Sequence, residues 1–202
     1  MNKRSLPDIR LRALCESDKT DYIQWRQDPR IVGLMFGGCP SPIALEKEVS
    51  IRFSQNRPEE VYLAFEEVDN FENRGHARIR QVPDQISYDS VEHNGVWSIG
   101  YIGTLSGRER GIGLSAIVAM LDIAFRMKEA KRVQDHIQPD NKFEMNVLES
   151  AGFQTEGRLR NRYFCAGKWL DEIPMGIIKD DYDTIWGHSQ PHWNYDEIKR
   201  IL

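Results

Sequence analysis

The chain has 202 residues, 40% of them hydrophobic, and a formal net charge of −4. That length can bury one substantial core, and an acidic balance without a long Lys/Arg run excludes a general nucleic-acid binder. Cys15, Cys39 and Cys165 are odd in number and lack C-x-x-C spacing, which excludes a disulfide framework or a structural zinc site and predicts no metal.

Residues 1–8 lack the apolar core of a signal peptide, and no stretch approaches membrane-spanning length, so a cytoplasmic protein without membrane contact is expected. Residues 9–14 alternate like a short strand. Ser17-Asp18 then caps a helix carrying Tyr22, Ile23 and Trp25, which Pro29 stops. Ser41-Pro42 opens a second helix to about Phe53, with Ile43, Leu45, Val49 and Phe53 on its apolar face. Residues 61–65 and 76–82 read as a hairpin around 69–75, and 84–95 as a polar loop bordering the substrate site.

The most informative segment follows. Arg108-Glu109-Arg110-Gly111-Ile112-Gly113 separates an apolar run at 96–102 from an apolar-rich stretch at 114–127. This is a strand, a tight loop and a helix start. Two glycines let the backbone approach a ligand, and the helix offers unpaired N–H groups and its positive dipole end, a combination suited to phosphate. A lone G-x-G also fits a simple turn before a core helix. A second junction adds weight: Pro139-Asp140-Asn141 leads from a strand over 133–137 into a helix with Phe143, Val147, Leu148 and Ala151 on one face and Gly152 as its stop. Strands near 155–164 and 169–178 complete the pattern. Residues 183–202, rich in aromatics, are expected to pack on the body or on a second subunit, as in a homodimer.

Together these segments resemble the GNAT N-acetyltransferases. The family signature R/Q-x-x-G-x-G/A is met at Arg108, Gly111 and Gly113, and the spread of similar segments looks most like the branch containing the ribosomal-protein N-terminal acetyltransferases. The resemblance implies an α/β fold: a mixed, mainly antiparallel splayed sheet flanked by helices, formed by a single domain over 1–182 with a tail over 183–202. It implies acetyl-CoA as cosubstrate. The pyrophosphate would be held by Arg108, Glu109, Arg110, Gly111, Ile112, Gly113 and Leu114, and the cofactor arm by the backbone of Ile99, Tyr101 and Ile102. Asn141 matches a contacting asparagine, although it also suits a helix cap.

The implied reaction is direct attack of a neutral primary amine on the thioester, favoured by proximity and preorganised donors. The usual carboxylate before Ile-Gly-Tyr is Ser98 here. The frequent serine acid is Glu144, and the alternative tyrosine is Leu148. His136 is a candidate base and His76 a weaker one, each also readable as a structural histidine. Glu144 and Tyr163 are candidates for proton transfer, with a first-turn helix glutamate and a packed aromatic as the alternatives. Arg78 with Arg80, or Arg158, Arg160 and Arg162, share strand faces that could receive an acidic acceptor.

Three functional readings follow. The first is acetyl transfer to a small amine or nucleotide-linked amino sugar, which net acidity favours. The second is protein N-terminal acetylation, and the third is a non-catalytic CoA-binding module. A dinucleotide site fits less well, because Ala116 stands where G-x-G-x-x-G needs its last glycine.

Overall fold

The computed structural model describes residues 6–33, 35, 39–54, 58–69, 72–82, 95–109, 111–165, 167–188, 198–200 and 202, with backbone alone at 108 and 109. Among these residues eight strands form one sheet in the order β1-β2-β3-β4-β5-β8-β6, with β7 pairing β8. They span Ile9–Ala13, Glu60–Glu67, Asn73–Gln81, Val96–Gly103, Arg132–Ile137, Gln154–Thr155, Leu159–Cys165 and Lys168–Ile178. Every pairing is antiparallel except β4 with β5. The expected mixed, mainly antiparallel α/β sheet is present.

The parallel pair is short. Val96, Trp97 and Ser98 face Arg132, Val133 and Gln134, and the register ends there. Beyond it, Ile99–Gly103 stays paired with β3 on one side and Asp135–Ile137 with β8 on the other. The sheet opens into a wedge between its two halves.

One face of the sheet carries helix α5 (Ile112–Asp122), continued by a π-helical turn at Ile123–Met127. Alanine and branched apolar residues fill its surface, and Ala116, Ile117, Ala119, Leu121, Ile123 and Ala124 are fully buried. Such a side chain contributes about 1.5–3 kcal/mol when it is as large as leucine or isoleucine. Helix α6 (Lys142–Ala151) lies beside it, stopped by Gly152 at φ 102° as the sequence predicts. Helix α7 (Lys179–Ile185) follows β8, and Trp186 donates from Nε1 to the Ala151 carbonyl at 2.9 Å.

The opposite face carries helices α1 (Asp18–Gln27), α2 (Pro29–Val32) and α3 (Pro42–Arg52) over a second, smaller core of Tyr22, Trp25, Ile31, Val32, Leu45 and Ile102. Two local expectations change here. Ser17 does not cap α1 with its side chain. Asp18 holds this entry instead, accepting from the Cys15 amide at 2.8 Å and from two Arg12 nitrogens at 2.6 and 2.8 Å. Burial works to raise the Asp18 carboxyl, but these donors outweigh it and hold it at about 2. Ile43, expected on the buried face of α3, is 81% exposed, because the helix buries Leu45 and partly covers Val49 and Phe53. Pro29 ends α1 as expected and begins α2, capped by Asp28.

Residues 84–94 and 189–197, which the sequence assigns to a polar loop and the aromatic tail, lie outside the described residues. Among those described, no helix is long and apolar enough to cross a membrane.

Candidate active site

The wedge between β4 and β5 is a cleft of about 280 Å³ that reaches the α1–α3 side of the sheet. A smaller continuation of about 40 Å³ runs between the end of β4 and the start of α6, lined by Tyr101, Ile102, Gly103, Asn141, Phe143 and Glu144. The candidates Ile99, Tyr101 and Ile102 therefore stand along one wall, on the part of β4 that has lost its parallel partner.

The glycine-rich segment is built differently from the tight loop expected. A short helix, α4 (Leu105–Glu109), fills the connection and includes the backbone of Arg108 and Glu109. Arg110, and the side chains of Arg108 and Glu109, lie outside the described residues. Gly111 then adopts φ 76°, turning the chain so that α5 starts at Ile112. Among the described residues a Cβ on Gly111 would meet Pro7 Cγ at 4.0 Å and nothing nearer, so the glycine serves its backbone angle. The first amides of α5, at Ile112, Gly113 and Leu114, carry the positive end of the helix dipole, and that of Leu114 also donates to the Gly111 carbonyl at 3.1 Å. Tyr101 stands beneath them, its hydroxyl 3.3 Å from where a Cβ of Gly113 would lie.

Asn141 caps α6, accepting from the Glu144 amide at 3.3 Å and donating to the Glu144 carboxylate at 2.5 Å. Both residues line the smaller cleft, so the cap also borders the opening. Asp135, which the sequence reading did not select, lines the main cleft with Glu144. Burial, reinforced by the negative charge of Glu144, raises the Asp135 carboxyl well above the usual carboxylate range. One signal was available: Asp135 shares its strand face with Val133 and Ile137, both buried, and an acid at an apolar-face position is unusual.

His136 also lines the cleft, on the adjacent strand face. Its Nδ1 pairs with the carboxylate of Glu172, a β8 residue that is 1% exposed. Tyr163 is not among the cleft-lining residues. It lies on β7, where burial and the Glu172 carboxylate raise its hydroxyl above the ordinary range. His76 is fully buried against the rings of Tyr22, Trp25 and Phe53. Burial and the nearby Arg52 charge push its imidazole down to about 3, which makes it a structural histidine. Ser98 is buried, with Oγ 3.5 Å from the Arg80 carbonyl.

Of the arginine sets, Arg78 enters the cleft. Arg158 pairs with Asp171 at 2.6 Å on the β7–β8 hairpin. Arg26, Glu48 and Arg52 also line the cleft. No local pattern singles them out, because Arg26 and Glu48 meet across 22 positions of chain.

The family model for the acetyltransferase (GNAT) domain matches residues 8–154. The chain belongs to the GNAT acetyltransferase family. Among curated proteins it is 32% identical over 83 residues to the probable N-acetyltransferase YjcK of Bacillus subtilis, covering 41% of this chain and 46% of that one. It is 26% identical over 91 residues to the uncharacterized N-acetyltransferase p20 of Bacillus licheniformis, covering 45% and 51%. The matched part thus spans about half the length of these curated relatives. Solved GNAT folds superpose more completely. The spermidine N-acetyltransferase of Vibrio cholerae, in complex with CoA and spermine, has a TM-score of 0.70 at 20% identity, over 87% of this chain and 98% of that one. A GNAT acetyltransferase of Bacillus anthracis has a TM-score of 0.70 at 16% identity, over 87% and 98%. For this GNAT chain, such likeness establishes the fold.

Proposed function

We propose that this GNAT protein transfers the acetyl group of acetyl-CoA to a primary amine of a small molecule, with a nucleotide-linked amino sugar as one such acceptor. The observation that carries this reading is the parting of β4 and β5 after Ser98 and Gln134, directly beside the Gly111-initiated start of α5. A ligand with amide groups can hydrogen-bond the unpaired edge of β4 while its phosphates meet the α5 amides. The residues fit acetyl-CoA: Gly111 carries no side chain at the helix start, and Tyr101, Gly103 and Asn141 border a channel leading to the main cleft. Acetyl-CoA would supply an activated acyl group on a thiol leaving group.

In this reading His136, oriented by Glu172, takes the proton of the attacking amine. The Asp135–Glu144 pair supports the opposite transfer. Two carboxyl groups held close in a partly buried site keep a proton that an isolated carboxyl would lose. Asp135 can therefore donate to the departing sulfur as the C–N bond forms and the C–S bond breaks. Tyr163 acts on the same Glu172 carboxylate that faces His136, and in this reading it supports that pair from behind the cleft wall. Residues 1–182 act as the transferase unit, with the following segment braced on it through Trp186.

The size of the cleft, about 280 Å³, favours a small acceptor over a folded protein presenting its N-terminus. Calorimetric titration with acetyl-CoA, free CoA and NAD, followed by thiol-release assays on an amine panel, tests the proposal. Saturable acetyl-CoA binding with amine-dependent thiol release is expected. Binding without release from any amine would favour a CoA-binding module, and no CoA binding by folded protein would reject the reading.

A further inference from the structure

Two cationic side chains in the cleft wall are only partly used by the protein. Arg78 reaches from β3 across Gly100, with Nη2 3.7 Å from where a Cβ would stand, and its buried Nε has no hydrogen-bond partner among the described residues. Arg52, from the last turn of α3, lies over two rings, its guanidinium carbon 4.3 Å from the Tyr22 centroid and 4.8 Å from that of Tyr62. Its buried Nη1 has no partner among the described residues either. Tyr62 is directly opposite Arg78 in the β2–β3 register, so both guanidinium groups belong to one region of the wall.

The third arginine shows what a satisfied site looks like. Arg26 donates from Nε and Nη2 to the two oxygens of Glu48 at 2.9 and 3.0 Å, and the Tyr22 hydroxyl adds a third bond to that carboxylate at 3.1 Å. Glu48 is thereby occupied. Arg52 and Arg78 retain donor capacity at a wall that faces an opening, where a planar guanidinium fork is matched by a carboxylate or phosphate. Buried donors of charged groups are costly to leave unmade, so the cleft favours a ligand that completes them. On the other side, Asp135 and Glu144 supply carboxyl groups. The cleft is thus polarised, cationic on the α1–α3 side and acidic toward α6.

We infer that the acceptor is an amine carrying an oxyanion on the same molecule, a carboxylate or a phosphate, held by Arg52 and Arg78 with the amine turned toward His136 and Asp135. This rests on the N-acetyl-transfer reading and narrows it. A polyamine without an oxyanion would bring more positive charge to a wall that already holds two incompletely paired arginines.

The test is calorimetric titration of the full chain with matched probes that differ in one oxyanion: glucosamine 6-phosphate against glucosamine, β-alanine against β-alaninamide, and spermidine as the oxyanion-free polycation. At least one anionic member should bind ten-fold or more tightly than its neutral partner, and the pair that separates identifies phosphate or carboxylate. Arg78→Gln should bring that ratio toward one, with Arg78→Lys intermediate because charge returns without the fork. Arg52→Gln provides the same readout should Arg78→Gln fold poorly. Equal affinity within both pairs, or tighter binding of spermidine, overturns the inference. Thiol release from acetyl-CoA separates the two claims. Release with neutral amines and spermidine as good acceptors leaves transfer standing and removes the oxyanion requirement; selective binding of an anionic amine without release from any amine does the reverse.

Discussion

Glu172, buried on β8, holds Nδ1 of His136 on the neighbouring strand, leaving Nε2 as the ring nitrogen that can meet a ligand; the Gln134 amide lies 3.4 Å from it. Arg162 Nε stands 3.9 Å from the second Glu172 oxygen, and the Tyr163 hydroxyl acts on the same carboxylate. A buried carboxylate facing an imidazole fixes both ring orientation and tautomer. If His136 accepts the amine proton, His136→Gln should lower kcat about 100-fold. Glu172→Gln should lower it less, and both should leave the acetyl-CoA dissociation constant unchanged. Steady-state kinetics beside calorimetry checks this; full kcat in a folded His136→Gln variant removes the histidine from the scheme.

The Asp135–Glu144 pair makes a prediction about stability. A carboxyl whose folded pKa is raised keeps its proton in the folded chain while the unfolded chain has released it, so stability falls as pH rises through that interval. Asp135→Asn should therefore stabilise the protein at pH 8, where the folded chain must otherwise hold this carboxyl against its raised affinity for a proton. The gain should vanish near pH 4. Urea unfolding at the two values measures it, and an equal or negative effect at pH 8 would show that the pair is not strained.

His76 predicts an acid slope of opposite origin. Its imidazole stays neutral down to about 3 in the folded chain but takes a proton near its ordinary value once unfolded. Stability is therefore present above that ordinary value and lost as pH falls from about 6.5 toward 3, by about 1.4 kcal/mol per unit within that window. His76→Leu, which keeps an apolar filling among Tyr22, Trp25 and Phe53, should lack this component. Parallel slopes for the two proteins between pH 6 and 4 would refute it.

Gly111 separates strain from binding. Gly111→Ala meets no described atom closer than Pro7 Cγ at 4.0 Å but must hold φ near 76°, costing about 1–2 kcal/mol of stability. Gly111→Asp adds a negative charge at the start of α5 and should weaken acetyl-CoA binding at least ten-fold, far beyond the effect of Ala. Similar dissociation constants for the two folded variants would remove this helix start from the binding model.

Much of this arrangement is written locally in the chain. Alternation along 9–14 and 133–137, the Ser41-Pro42 start of α3 and the Gly152 stop of α6 each depend on neighbours within a few residues, so their periodicity and turn chemistry are readable. The Gly111 junction was legible for the same reason. The partners of the cleft were not: Arg26 meets Glu48, and His136 meets Glu172, only after distant elements are packed together. Ile43 failed for a related reason, since which stripe of a short helix turns inward is decided by the surface beneath it.

The brevity of the β4–β5 pairing has a mechanical consequence. Three residue pairs join the strands at the centre of the sheet, so its two halves meet along a seam sealed at one end and open at the other. A cosubstrate lying in that opening with its own amides would act as a stitch, and the apo and bound chains should differ most in how fast the central amides of β4 exchange with solvent.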